Sequence, residues 1–377
     1  NYINLGNSGT GEFFVPRSFE THYRNATYLE KGGYGTVIAL ESKTNSREGI
    51  AVKRFDSSFD TDKRAQRCYR ELQLLSGLNH ENIVKMKFAY TTDANQNVLN
   101  AVYLTTEFAG FDLGLRLSQE TPKTHKFSLL SFQKMISELL RALKYLNSAN
   151  VIHRDLKPDN LAIDDDGKLT LLDFGIARVM DKDSAHTTNP GAAFYRAIET
   201  MAFDQNSNRQ IYNEKADIWS IGAILCQMIT GKIVFSDEFR KDRALLKAIE
   251  ICGPIPESVI KEIGHETSEK YLRNKSATAK RIDFIQYFRQ EGRLWLWEEI
   301  QRNQTVLVDF INRTLAFDHR DRMNVDEALA HPFLASVREP TREVLAGHSI
   351  PDVGDRTLEG WRELIWGAIQ ASPVRFD

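Results

Sequence analysis

The sequence has few cysteines, almost no net charge and no long apolar run. Its three cysteines (Cys68, Cys226 and Cys252) have no paired spacing, which argues against a zinc site and favours a reducing compartment. With 49 Lys and Arg against 51 Asp and Glu, the net charge of −2 predicts neither a nucleic-acid nor a membrane partner. The longest apolar run, around residues 218–229, is too short to span a bilayer, and the polar start of the chain predicts no signal peptide.

The sequence does contain a dense set of polar groups near its middle. Residues 153–160 read His-Arg-Asp-Leu-Lys-Pro-Asp-Asn, and Asp173-Phe-Gly follows after a predicted hairpin. In phosphoryl transfer, Asp155 would accept a proton from the attacking hydroxyl and Lys157 would stabilise the developing charge. Asn160 and Asp173 would hold magnesium. Because so long a pattern rarely arises by chance, a charged loop beside a buried strand is the weaker explanation, and the pattern resembles the protein kinase signature.

A glycine-rich turn near the N-terminus extends this resemblance. Residues 28–37 indicate a strand, a glycine turn and a second strand, and glycines let a backbone close over phosphates. Gly32, Gly35 and Val37 fit the kinase pattern G-x-G-x-x-G-x-V, whereas Glu30 stands where the first glycine belongs. The Glu30 carboxylate would either weaken ATP binding or point to solvent.

The resemblance also assigns the remaining ATP-binding and catalytic residues. Lys53 ends an apolar strand and would contact the α- and β-phosphates, with Glu71 on a helix from about Asp62 to Ser76 as its ion-pair partner. The implied catalytic residues are Asp155, Lys157, Lys53 and Glu71. The implied ATP-binding residues are Gly32, Gly35, Val37, Ala51, Lys53, Thr106, Glu107 and Ala162, with Thr106 as the gatekeeper between the strand 102–106 and the hinge.

Two further contacts are implied in the larger part of the chain. Asp217, at the start of a predicted buried helix, would brace the backbone of the catalytic loop. Arg322 would form a salt bridge with Glu199, which ends the Ala197-Ile-Glu element that stands where kinases have A-P-E.

Several stretches narrow the resemblance to the MAP kinases, especially their stress-activated subgroup. They include Cys68-Tyr-Arg-Glu-Leu-Gln-Leu-Leu, Asn79-His-Glu-Asn-Ile-Val, Val102-Tyr-Leu and Asp217-Ile-Trp-Ser-Ile-Gly. An extra segment at about 253–300 and a C-terminal extension with Trp361 fit the same family. In that family the extension runs back onto the small lobe.

The activation segment departs from this family. The T-x-Y pair falls on Thr187-Thr188-Asn189, so the tyrosine is absent. We therefore expect activation through threonine alone, with Thr187 as the first choice of acceptor and Thr188 as the second. By resemblance, Arg67, Arg70 and Arg154 would bind the phosphate.

Two other departures concern the choice of substrates and partners. Ala192 and Ala193 replace a threonine and an arginine, so we expect substrate choice that is not strictly proline-directed. The acidic docking cluster of the family is replaced by the mixed-charge segment 337–343, which contains Arg338 and Arg342. We expect weak, salt-insensitive binding of basic docking peptides.

The sequence thus predicts an α+β, bilobal protein kinase fold with a β-rich small lobe, a mainly helical large lobe and a C-terminal extension. Residues 1–107 would form an N-terminal leader and the small ATP-binding lobe, with the leader (residues 1–20) lying on the domain surface. Residues 108–336 would form the large catalytic lobe. Residues 337–377 would form the extension, which packs back on the small lobe.

The predicted function is ATP-dependent phosphorylation of protein serine and threonine hydroxyls, since Lys157 resembles the Ser/Thr class. ATP and Mg2+ are the expected cofactors, and the expected partners are protein substrates and an upstream activating kinase. The expected location is cytoplasmic, with a nuclear one left open. The alternative is a pseudokinase or scaffold, which Glu30 and the altered activation segment favour, whereas the complete catalytic set favours the enzyme. A small-molecule kinase would lack the long segment after Asp173-Phe-Gly.

Overall fold

The computed structural model describes residues 2–7, 12–32, 35–45, 48–124, 127–179, 193–201, 213–236, 243–263 and 266–372. The chain divides into two compact units. The sheet unit comprises Asn1–Gly110, Leu172–Ala177 and Ile350–Asp377, and the helical unit comprises Phe111–Leu171 and Arg178–Ser349. Within the described ranges, no helix has the length and apolar character needed to cross a membrane.

Strands dominate the first part of the chain and helices the last part. The strands are β1 (Tyr2–Asn7), β2 (Glu12–Pro16), β3 (Tyr23–Gly32), β4 (Gly35–Ser42), β5 (Gly49–Phe55), β6 (Met86–Tyr90), β7 (Val102–Glu107), β8 (Phe111–Asp112), β9 (Val151–Ile152), β10 (Leu161–Ile163), β11 (Leu169–Leu171) and β12 (Arg178–Val179). The helices are α1 (Phe19–His22), α2 (Asp62–Gly77), α3 (Leu113–Ser118), α4 (Leu129–Ser148), α5 (Ile198–Met201), α6 (Lys215–Thr230), α7 (Ala244–Cys252), α8 (Glu257–Ile263), α9 (Glu266–Ser276), α10 (Phe284–Glu291), α11 (Trp297–Thr314), α12 (Val325–Leu329) and α13 (Leu358–Ala371).

The sheet unit is built on an antiparallel sheet in the order β3-β4-β5-β7-β6. Side chains alternate between the two faces of each strand, and residues opposite one another on neighbouring strands share a face. Ile38 lies opposite Val52, and both are buried in an apolar cluster that also contains Ile50, Phe88 and Tyr103. One face of the sheet is therefore the core of this unit.

The N-terminal residues contribute to this core. Strands β1 and β2 pair as a hairpin, and Phe13 and Val15 of β2 are each only 1% exposed. Phe13 packs edge-on against Tyr103 with ring centroids 5.7 Å apart, and Phe19 packs in the same way against Phe88 at 5.9 Å. The prediction of a leader lying on the domain surface was wrong, because these apolar side chains insert between the hairpin and the sheet.

Helices α2 and α13 pack together in the sheet unit. Helix α2 begins where the Thr61 side chain accepts the backbone N–H of Arg64. The buried face of α13 contains Trp361, whose ring lies 5.8 Å from that of Tyr69 on α2. The Gln73 side-chain amide also donates to the Pro351 carbonyl oxygen at 3.0 Å. These contacts fix the α2 helix, which carries Glu71, Arg67 and Arg70.

The helical unit has its core where α6 packs against α4 and α11. Helix α4 begins at a capping box in which Ser128 and Ser131 each accept the other's backbone N–H. Almost all of α6 is buried. It approaches α11 closely at Gly222, where a Cβ would lie 2.5 Å from Thr314 Oγ1.

The predicted hairpin between the two groups of polar residues is confirmed. Strands β10 and β11 pair antiparallel, with Leu161 opposite Leu171. Gly167 adopts φ 78° in the turn between them, a conformation that glycine tolerates best. The buried Glu138 carboxylate on α4 accepts the Leu169 N–H at 2.7 Å and so fastens the hairpin to the helical core.

Candidate functional site

Four predicted ATP-binding residues lie on the face of the sheet opposite the apolar core. Val37 pairs with Lys53 across β4 and β5, and Ala51 pairs with Thr106 across β5 and β7. These positions alternate with the core residues Ile38 and Val52, so their side chains emerge on the other side. Ala51 has a small side chain, and its contact with the adenine stays a prediction.

Close packing of the backbone requires glycine at position 35 of the glycine turn. A Cβ on Gly35 would lie 2.5 Å from the Arg54 carbonyl oxygen, so the close pairing of β4 with β5 excludes any larger residue. Glu30 is exposed, and its Oε1 atom lies 3.4 Å from the place of a Cβ on Gly32. This exposure fits the prediction that Glu30 points to solvent, while its effect on ATP binding stays a prediction.

Lys53 and Glu71 form a closed ion pair. The Lys53 ammonium donates to both oxygens of Glu71 at 2.7 Å, and the two side chains are 16% and 4% exposed. Burial alone would lower the pKa of Lys53, but the Asp173 and Glu71 carboxylates outweigh it and raise that pKa. Burial raises the pKa of Glu71, while the Lys53 ammonium and its hydrogen bonds act in the opposite direction.

Asp173 lies beside this ion pair. Its Oδ1 atom accepts the Gly175 N–H at 3.0 Å and lies 3.6 Å from Lys53 Nζ. Its Oδ2 atom lies 3.8 Å from Arg67 Nη2. Asp173 adopts φ 52°, the left-handed region that non-glycine residues rarely occupy. This conformation brings its own carboxylate back over the Gly175 amide.

The catalytic loop of the helical unit is braced by a buried carboxylate. Asp217 accepts the backbone N–H groups of His153 at 2.9 Å and Arg154 at 3.0 Å. The predicted bracing is therefore confirmed. Burial raises the pKa of Asp217, although His153 and the two N–H donors act in the opposite direction. Arg154 adopts φ 72°, so this brace holds a backbone conformation that would not persist unaided.

Asp155, Lys157 and Asn160 lie together in the helical unit. Asp155 is 8% exposed and lies 3.2 Å from Lys157 Nζ. The Asn160 amide nitrogen donates to the Asp155 carbonyl oxygen at 2.7 Å and to its carboxylate at 3.0 Å. Lys157 and Asn160 thus fix the orientation of the Asp155 carboxylate, and in the described part of the chain no donor is bound to the amide oxygen of Asn160.

A second predicted ion pair is present deeper in the helical unit. Arg322 donates to both oxygens of Glu199, at 2.6 and 3.1 Å, and both side chains are almost fully buried. The neighbouring Tyr195 is held by its hydroxyl, which donates to Gln227, and by its carbonyl oxygen, which accepts the Ser220 hydroxyl at 2.7 Å. These distances confirm the Glu199–Arg322 salt bridge that the sequence predicted.

Comparison with known proteins agrees with this geometry. The protein kinase domain family matches residues 23–334. The chain belongs to the protein kinase family. Over 350 residues it is 34% identical to mitogen-activated protein kinase pmk-1 of Caenorhabditis elegans, which covers 92% of this chain and 86% of that protein.

Two further relatives carry similar names. Mitogen-activated protein kinase 12 of Mus musculus is 32% identical over 348 residues, covering 91% of this chain and 87% of that protein. Mitogen-activated protein kinase hog1 of Blastobotrys adeninivorans is 32% identical over 354 residues, covering 93% and 80%. Within its family this chain is therefore a MAP kinase, and it is an ATP-dependent serine/threonine protein kinase.

The fold class is confirmed as that of a protein kinase. Of the predicted ATP-binding residues, Glu107 ends β7 in the sheet unit, whereas Ala162 is buried in β10 of the helical unit. The proposed phosphate ligands Arg67 and Arg70 belong to α2, and Arg154 belongs to the catalytic loop. Thr187-Thr188-Asn189 and Ala192 lie outside the described residues.

The oxygen atoms offered by the kinase suit magnesium. Taken separately, Asp173 of the sheet unit has a carboxylate that is 28% exposed, and Asn160 of the helical unit has an amide oxygen; each is a hard ligand. No group of three His, Cys, Asp or Glu side chains in the described part of the chain could hold a metal ion. Magnesium in phosphoryl-transfer sites takes one or two protein ligands and relies on phosphate oxygens for the rest.

Two contacts of this site were missed by the sequence analysis. Glu138 supports the hairpin between the two polar groups, and its signal was an acidic residue inside the apolar stripe of α4. The Arg67–Asp173 contact was also missed, because Arg67 was assigned to a phosphate alone. No local pattern links two residues so far apart in the chain.

Proposed function

We propose that this kinase transfers the γ-phosphoryl group of magnesium-bound ATP to hydroxyl groups of protein substrates. The observation that carries this proposal is the Lys53–Glu71 ion pair with Asp173 beside it. Because a buried carboxylate binds the Lys53 ammonium at 2.7 Å, the lysine side chain is held in one position, and its charge is preorganised before ATP binds. An unused lysine at a strand end would not need such a partner.

Each side chain has a distinct task in this proposal. Lys53 binds the α- and β-phosphates and orients them. Asp155 accepts the proton of the substrate hydroxyl, and Lys157 at 3.2 Å orients that carboxylate. Asn160 and Asp173 would hold magnesium, which when bound neutralises charge on the phosphates.

The rival role as a catalytically weak scaffold has one observation in its favour. Glu30 places a carboxylate 3.4 Å from the position of a Cβ on Gly32, within the turn that would cover the phosphates. A negative charge there opposes the binding of a polyanion. Because Glu30 is exposed, solvent screens much of this repulsion, and we favour the enzyme.

A phosphoryl-transfer assay separates these two roles. The protein, treated with an activating kinase, is incubated with radiolabelled ATP and a generic protein substrate. Asp155→Ala and Asp173→Ala are expected to lower turnover by orders of magnitude, because base and metal ligand act in one step. Asp165→Ala is the matched control, since this carboxylate is 86% exposed in a turn. Wild-type turnover no higher than that of Asp155→Ala would establish the scaffold instead.

We further propose that an upstream kinase activates the protein on Thr187, with Thr188 as the second choice. The added phosphate brings about −1.5 to −2 charge, which the planar forks of Arg67, Arg70 and Arg154 would bind. Replacing both threonines by alanine is expected to abolish activation, measured as turnover before and after treatment with the activator. Full activation of that double variant would disprove the idea, and activation that needs Asn189→Tyr would show that tyrosine is required.

The expected location of this activity is the cytoplasm, with the nucleus left open. Cys68, Cys226 and Cys252 are free and buried, as suits a reducing compartment. Imaging of the fluorescently tagged full-length protein tests this proposal, and a secreted protein would contradict it.

A further inference from the structure

Arg67 lies against the Asp173-Phe-Gly175 segment rather than out in solvent. A Cβ on Gly175 would fall 2.6 Å from Arg67 Nε and 3.0 Å from its Cγ, so the arginine stem packs directly on the glycine backbone. The end of the same side chain reaches Asp173, with Nη2 3.8 Å from Oδ2. The Arg67 side chain is 12% exposed and that of Asp173 is 28% exposed, so water screens this attraction only in part.

Both oxygens of Asp173 are consequently turned toward positive charge or an N–H donor. Oδ1 accepts the Gly175 N–H and faces Lys53 at 3.6 Å, and Oδ2 faces Arg67. Lys53 is already neutralised by Glu71 at 2.7 Å. The guanidinium of Arg67 lies 3.8 Å from Oδ2, and it cannot lose its charge by deprotonation.

We propose that Arg67 competes with magnesium for the Asp173 carboxylate and so sets the magnesium concentration that the kinase needs to bind nucleotide. This inference rests on the proposed role of Asp173 as a metal ligand. A magnesium ion approaches a carboxylate oxygen to about 2.1 Å. A guanidinium nitrogen 3.8 Å from the same oxygen would then lie at most about 6 Å from a doubly charged cation, so repulsion favours withdrawal of Arg67 as the metal arrives.

The competition gives Arg67 two alternative partners. While Arg67 contacts Asp173, it lowers the affinity of the Asp173 carboxylate for magnesium. When a phosphate draws it away, the carboxylate is released, because Arg binds phosphate bidentately and more strongly than a single carboxylate oxygen at 3.8 Å. Phosphorylation would therefore increase magnesium affinity without any new residue entering the metal site.

The magnesium dependence of ADP binding tests this inference without measuring catalysis. The unphosphorylated full chain is titrated with ADP in a calorimeter at a series of magnesium concentrations. The magnesium concentration at which ADP binding is half-maximal is the magnesium midpoint. In Arg67→Gln we expect this midpoint to fall about threefold to tenfold, the range expected when a partly buried competing cation is removed. The free Mn2+ signal in electron paramagnetic resonance, with ADP present, provides a second, direct measurement of metal binding.

Two further variants make the result decisive. Arg64→Gln changes the same residue type one turn earlier on α2, where Arg64 donates to the Asp56 carbonyl oxygen, and should leave the midpoint unchanged. Arg67→Lys keeps the charge but is shorter and lacks the fork, so its midpoint should lie between wild type and Arg67→Gln. It also carries the test if thermal melting shows that Arg67→Gln does not fold.

The possible outcomes distinguish this inference from the proposed function. An unchanged or raised midpoint in both folded Arg67 variants, with normal ADP binding by wild type, overturns the competition alone. A fall of equal size in Arg64→Gln would also overturn it, because the effect would then follow the charge of the helix. Absence of ADP binding by wild type at every magnesium concentration would overturn the proposed function and the inference together.

Discussion

Single ionic contacts in this kinase differ widely in what they contribute, because burial decides their strength. The Arg322–Glu199 pair is 0% and 5% exposed, whereas Arg342 and Glu339 form a 2.6 Å pair that is 41% and 48% exposed. Removing one partner of a buried pair leaves an uncompensated charge in a medium of low dielectric. An exposed pair is screened by water and contributes little.

We therefore predict that Glu199→Gln lowers the free energy of unfolding by about 3 kcal/mol or more. Arg322 keeps its bonds to the Ala316 and Lys215 carbonyl oxygens, but these carry no full negative charge. Glu250→Gln is the control, because Lys247 and Glu250 form a pair that is 40% and 64% exposed, and it should cost less than about 1 kcal/mol. Urea denaturation of both variants at neutral pH provides the measurement, and equal losses would show that burial does not govern these pairs.

Residues of the site were predictable from the sequence where chemistry and spacing coincide. Lys53 with Glu71 and Arg322 with Glu199 were predicted as pairs, and each pair is closed in the structure. The Arg67–Asp173 contact was not predictable, because it depends on the left-handed backbone of Asp173 and on the absence of a side chain at Gly175. Backbone conformation of this kind leaves no signal in polarity or periodicity.

At the scale of elements, two helices were predicted well. The predicted helix from about Asp62 to Ser76 is observed as Asp62–Gly77, and the predicted buried helix that contains Asp217 near its start is observed as Lys215–Thr230. The β1–β2 hairpin was misjudged, since its first residues are polar and its partner surface is formed by strands far along the chain. Burial against a distant element cannot be inferred from a short local stretch.

This hairpin should be a structural part of the sheet unit rather than a dispensable leader. Phe13→Ala removes a side chain that is 1% exposed and packed on Tyr103, so we expect a loss of about 3–5 kcal/mol in stability. Leu5→Ala in the same hairpin is the control, because Leu5 is 39% exposed and should change stability by less than about 0.5 kcal/mol. Thermal melting of both variants tests this prediction. A Phe13→Ala protein as stable as the control would show that the hairpin does not contribute to the core.

At the scale of the whole molecule, positive and negative charges nearly balance, and the segment 337–343 shows the same balance through ion pairs. Arg338 donates to Glu343 at 2.8 Å, and Arg342 pairs with Glu339 at 2.6 Å. Lys144 of α4 lies 3.0 Å from Glu343 and 2.7 Å from Asp326. Hydrogen bonds to Asp326 and Glu343 outweigh burial and raise the pKa of Lys144, which therefore stays charged. The carboxylates of this segment are thus already paired with its own arginines and with cations of α4.

A segment whose acids are neutralised in this way should recruit basic peptides poorly. Attraction between a positive peptide and a protein surface depends on uncompensated negative charge, and it acts mainly on the association rate and on partner choice. We predict that basic docking peptides bind weakly and that their affinity changes little with salt, since there is little long-range field to screen. Fluorescence anisotropy at two ionic strengths measures both properties.

The double variant Arg338→Glu with Arg342→Glu tests whether neutralisation of the carboxylates is the cause of the weak binding. It removes one cation beside Glu343 and one beside Glu339, and it adds two carboxylates to the segment. Basic peptides should then bind more tightly at low salt and lose that gain as ionic strength rises and the Debye length shortens. The double variant Arg302→Glu with Arg313→Glu, two exposed changes on α11 that alter the net charge by the same amount, controls for overall charge and should have a smaller effect. Tight, steeply salt-dependent binding by the wild-type protein would mean that the basic peptides find their negative charge elsewhere on the kinase.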